Sequence, residues 1–126
     1  MNINHNNRPP LVIPLAAISA TLEQLLLVAH KKTRIKKASF LQDGAISVDA
    51  VNYLSFQLAK DEVSVGSAVT TEAGLADRAS LDLDLGSDGY IDLEIGEVLS
   101  LDVTEAGTFA EGAAGLLVLD LEIIGN

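Results

Sequence analysis

The chain has 126 residues and a formal net charge of −10, from 8 lysines and arginines against 18 aspartates and glutamates. A hydrophobic content of 48 % over this length suits one soluble globular domain with a core of its own. The absence of cysteine excludes a disulfide framework, a zinc–thiolate site and a thiol nucleophile, and two histidines, His5 and His30, leave little for a histidine metal site or proton relay.

The charge is divided along the chain. Up to Lys37 there are six basic residues and one acidic, and from Ala38 onward two basic and seventeen acidic. In so short a chain this points to two faces with different neighbours, not to two domains. Residues 1–10 read as a flexible N-terminal arm: asparagines disfavour regular structure, and Pro9-Pro10 forces an extended backbone. They lack the basic start and apolar centre of a signal peptide, and no apolar run approaches the roughly 18–20 residues of a membrane-spanning helix. Residues 11–126 read as the folded domain.

Residues 21–32 (TLEQLLLVAHKK) are ambiguous. Thr21 and Gln24 match a capping box, and Leu22, Leu25, Leu26 and Ala29 share a helical face, yet the apolar run Leu25-Leu26-Leu27-Val28 also suits a buried strand. By pattern alone, helix is slightly favoured. His30 reads as a turn residue. From Arg34 the pattern becomes short strands separated by turns. Arg34 to Leu41 is closed by Asp43-Gly44, and in 51–58 Leu54, Phe56 and Leu58 alternate with polar residues. Val63 and Val65 precede Gly66 in a shorter strand. Leu81-Asp82-Leu83-Asp84-Leu85 alternates strictly, Gly86-Ser87-Asp88-Gly89 is a turn, and Ile91-Asp92-Leu93-Glu94-Ile95 repeats the alternation, which predicts a hairpin with one apolar and one acidic face. Leu99 to Val103 follows, closed by Ala106-Gly107. Residues 116–124 begin apolar on both faces, as a central or interface strand does. The expectation is an all-β, single-domain β-sandwich of jelly-roll type, with seven to eight short antiparallel strands.

Residues that carry chemistry are sparse. No P-loop, GxGxxG, HExxH or GxSxG occurs. The best metal candidates are Asp82, Asp84, Asp88, Asp92 and Glu94, but an EF-hand loop begun at Asp84 puts Ile95 where the bidentate glutamate belongs. A calcium site built across adjacent strands stands against a solvated acidic face. A glycosidase pair is disfavoured, because nothing near these carboxylates raises the pKa of one partner. The expectation is a protein without catalytic residues, metal or cofactor. Lys31, Lys32, Arg34, Lys36 and Lys37 form the one positive patch, a contact for an acidic protein surface or the solvated edge of a sheet. Nucleic acid fits poorly with a charge of −10 and no aromatics nearby. Leu116, Leu117, Val118 and Leu119 are the candidate subunit interface.

These elements, in order, resemble the small head decoration (cement) proteins of tailed bacteriophages. The matching features are an apolar segment ending near Val28-Ala29, a basic strand leading into Phe40-Leu41-Gln42-Asp43-Gly44-Ala45-Ile46-Ser47, and the strand from Asn52 to Leu58. Gly96-Glu97-Val98-Leu99-Ser100, Ala106-Gly107-Thr108 and a closing apolar strand after Gly115 complete them. The resemblance covers roughly 22–124. It implies a jelly-roll-like sandwich, a strand over 22–29, and a non-enzymatic protein that coats and stabilises a capsid, often as a homotrimer. The implied partners are other copies of itself and the major capsid protein, with no nucleic acid and no membrane, on the virion surface after synthesis in the host cytoplasm. No functional residue carries over, because the family has no shared catalytic motif. Relatives often carry Ala-Pro after the first strand, where this chain has Ala29-His30-Lys31. The alternative is a carbohydrate- or receptor-binding module of a phage fibre or secreted protein, which needs an aromatic platform or calcium-ordered loops. A small β-barrel enzyme would need a convergent polar pocket.

Overall fold

The structure, a computed structural model, describes residues 10–18, 21–109 and 113–125. The expected arm lies outside these residues, apart from Pro10. Nine strands follow: β1 (Leu11–Ile18), β2 (Leu22–Val28), β3 (Thr33–Gln42), β4 (Tyr53–Lys60), β5 (Val63–Thr70), β6 (Ser80–Asp82), β7 (Ile91–Leu93), β8 (Val98–Ala106) and β9 (Ala113–Ile123). They form two antiparallel sheets, one in the order β1-β9-β3-β6 with β7 also on β3, the other in the order β2-β8-β4-β5.

One ambiguity is resolved here and one expectation changes. Residues 22–28 form a strand, as the resemblance implies and against the slight helical preference of the pattern alone, and the run Leu25–Val28 is edge-strand material, paired with β8. The predicted hairpin at 81–95 does not form. β6 pairs with Ser39–Leu41 and β7 with Thr33–Ile35, both antiparallel to β3, so the two lie end to end along one edge. The physical reason is that the turn between them does not reverse the chain. Gly86 (φ +95°) and Gly89 (φ +80°) let residues 84–90 leave the sheet and rejoin it further along. Counted as one interrupted strand, β6–β7 makes eight strands in the order 1-8-3-6 facing 2-7-4-5, the double Greek key of a jelly roll. The expected sandwich is the fold, with β1 added to the seven to eight expected strands, and β1 carries Pro14, a residue that argues against a strand interior. Pro14 is tolerated because β1 is an edge.

Alternation sets the core. Phe40 and Leu119 from one sheet meet Leu54, Phe56, Leu58 and Leu101 from the other, all fully buried. The Phe40 and Phe56 rings stack across the layer, with centroids 5.1 Å apart and 22° between planes. At one end of the sandwich Gly115 lies opposite both Leu15 and Gln42, and a Cβ there would run into the Leu41 carbonyl oxygen. Only glycine lets three strands close up at that point.

Candidate functional site

Most of the chain's distinctive side chains fall on one surface, the outer face of the five-stranded sheet. β9 runs through its middle, between β1 and β3. Of the four residues expected at an interface, Leu117 and Leu119 point inward and are wholly buried in this chain's own core. Leu116 and Val118 point outward. Register places Pro14 and Leu41 on either side of Leu116, and Val12 and Ser39 on either side of Val118. The result is an outward apolar strip of Val12, Pro14, Leu41, Leu116 and Val118, with Val12 47 % exposed.

Next to the strip lie the cations of β3. Strict alternation would turn one of two consecutive lysines into the core. A β-bulge between Ile35 and Lys37 prevents this: Ile35 opposes Leu121 and Lys37 opposes Asp120, so Lys36 is the extra residue and both lysines stay exposed. Arg34 points the same way and is held on three sides. Its Nε and Nη2 donate to Asp92 Oδ1 and Oδ2 at 2.8 and 3.1 Å, and its guanidinium lies 4.0 Å over the Tyr90 ring. Those hydrogen bonds hold the Asp92 carboxyl below the usual carboxylate range, against the opposing effect of desolvation. Lys32 pairs with Glu94 at 3.4 Å. Of the five expected contact residues, Lys32 and Arg34 are thus occupied within the sheet, Lys36 and Lys37 sit on its outer face, and Lys31 lies in the loop before β3.

The acidic residues do not gather into a cation site. Asp84 Oδ2 accepts from the Ser67 amide at 3.0 Å and Oδ1 from Gly86 at 2.8 Å, which ties the 84–90 excursion to β5 and lowers the Asp84 pKa. Asp92 and Glu94 are taken by Arg34 and Lys32, and Asp82 and Asp88 stay exposed. Among the described residues no group of three or more potential metal ligands comes together. Two clefts open elsewhere. One of about 740 Å³, at the end carrying His30 and Lys31, is walled by Leu27, Val28, Leu121 and Ile123. A smaller one of about 290 Å³ has Lys60, Asp88 and Tyr90 at its rim, and Lys60 Nζ donates to the Asp92 carbonyl at 3.2 Å. Sequence reading missed Val12, Pro14 and Leu41 as members of the surface. The legible signal was that Leu41 is out of phase with Phe40, while Val12 and Pro14 needed β1 to be recognised first.

No family model, no curated protein and no solved structure matches this chain.

Proposed function

We propose that this protein is a non-enzymatic structural component of a viral particle: a decoration (cement) protein that binds the assembled head of a tailed bacteriophage as a homo-oligomer, a trimer by the resemblance. Its partners are then further copies of itself and the major capsid protein, and its place is the outer surface of the virion. The observation that supports this reading is the outward strip of Val12, Pro14, Leu41, Leu116 and Val118. It is apolar surface on a rigid sheet, suited to covering another surface and not to enclosing a small molecule. Cement of this kind works by mass action. A protein that binds the closed shell and not its free subunits stabilises the shell by an amount set by concentration and affinity.

The test is co-sedimentation with purified heads of the phage that carries the gene. Saturable pelleting with the heads, and a higher temperature of head disruption when they are coated, are expected. Protein left in the supernatant at saturating heads refutes the reading. The carbohydrate-binding alternative has one observation in its favour, the exposed Tyr90 ring beside the smaller cleft. Arg34 already covers one face of that ring. Glycan-array binding abolished by Tyr90→Ala would favour this second reading.

A further inference from the structure

The outward side chains of the five-stranded sheet form four rows across the strands. The first holds Pro14, Leu116, Leu41 and Ser80, and the second Val12, Val118, Ser39 and Asp82. The third sets Asp120 against Lys37, and the fourth runs Glu122, Arg34, Asp92. Half of the face is therefore largely apolar, and in the other half opposite charges alternate from strand to strand, the favourable cross-strand arrangement. With the bulged Lys36 and the Lys32–Glu94 pair, the face carries four cations and five carboxylates, a net of −1. The chain carries −10, so everything else carries −9. Two copies, each carrying −9 on the remainder, repel each other there on average, and the electrostatic penalty is small on a face so near neutrality.

The outer face of the other sheet provides the contrast. It too exposes apolar side chains, Leu25 at 68 % and Val28 at 45 %. There, however, Glu23 lies directly opposite Asp102, and Gln57 completes the row. A second copy laid on that face would bring carboxylates onto carboxylates.

From this partition of charge we infer that the outer face of the five-stranded sheet is where a second copy of this chain binds, with the apolar rows buried and the charged rows at the rim. The inference rests on the proposed structural role and assigns its self-contact. It leaves the shell contact to other parts of the molecule, among them the loop carrying Lys31.

The experiment is solution mass by light scattering over a concentration series, with melting curves to confirm folding, on wild type, Val118→Lys, Lys37→Glu and Leu25→Lys. Val118→Thr, close in shape, serves if the lysine variant does not fold. Wild type is expected to associate and Leu25→Lys to match it. Val118→Lys is expected to weaken association by about tenfold or more, as loss of an interface anchor does, and Lys37→Glu to weaken it by adding negative charge to a face already at −1. Dissociation by Leu25→Lys with Val118→Lys unaffected overturns the inference and moves the contact to the other sheet. A wild type that stays a single chain throughout also overturns it. Either result leaves the shell-binding role to be decided separately by sedimentation with heads.

Discussion

At the scale of single residues, Leu119 of β9 and Phe56 of β4 illustrate what burial decides. Leu119 and Phe56 are fully enclosed, so truncation leaves a void that the close-packed layer cannot fill. Phe56→Ala is expected to cost about 3–5 kcal/mol and Leu119→Ala about 2–5 kcal/mol, read from denaturant midpoints at an unchanged slope. Against a typical total of about 5–15 kcal/mol these are severe losses. The Arg34–Asp92 pair makes a pH-dependent prediction. Because the folded protein holds the Asp92 pKa below its ordinary value, the resulting stability is present above that ordinary value and is lost as pH falls through the depressed one. Asp92→Asn should therefore melt below wild type at pH 7, with the gap narrowing below about pH 4 and closing in stronger acid. A gap that persists unchanged into acid would mean that the pair contributes packing alone. Sequence showed these residues as alternating members of strands but not their partners, because Arg34 and Asp92 are 58 positions apart and meet only through register.

At the scale of elements, period-two patterning identified β3, β4, β8 and β9, whose inward positions are apolar apart from Thr33 and Gln42 at the ends of β3. It failed where edge geometry decides. β1 carries a proline that only an edge tolerates, β2 carries apolar residues at helical as well as strand spacing, and two alternating segments joined by a glycine turn were taken for a hairpin when they continue one edge. The β4–β5 connection makes its own prediction. Asp61 and Glu62 both have positive φ, +48° and +69°, as a two-residue type I′ turn requires. A glutamate in that region is strained, whereas glycine is not. Glu62→Gly is expected to raise stability by up to about 1 kcal/mol, measured by chemical denaturation, and a loss would show that the Glu62 side chain makes an unseen compensating contact.

At the scale of the whole molecule, the split of basic and acidic residues along the sequence does not map onto a basic and an acidic face. The cations of β3 do not form a positive face. Register sets them among Asp92, Asp120 and Glu122, so the basic stretch and part of the acidic one cancel within a single sheet. This cancellation could not be read from the chain, because it depends on which strands become neighbours in a double Greek key. It also predicts how assembly responds to pH. Lowering the pH from 7 toward the sequence pI of about 4.3 reduces the negative charge of the chain, nine-tenths of which lies outside this face, and the lowered Asp92 pKa keeps the Arg34–Asp92 pair charged along that path. Self-association should tighten along that path, and light scattering that shows the oligomer dissociating instead would contradict the charge partition.

The bulge in β3 has one more consequence, for the lengths this chain can tolerate. From Thr33 to Gln42 it uses ten residues where the ladder with β9 needs nine. Deleting either Lys36 or Lys37 leaves Ile35, Ala38 and Phe40 facing inward as before, so such a protein should still fold and melt cooperatively. Deleting Ser39 forces either Phe40 out of the core or Lys37 into it. The one residue this strand can spare without disturbing its inward set is therefore a lysine at the bulge.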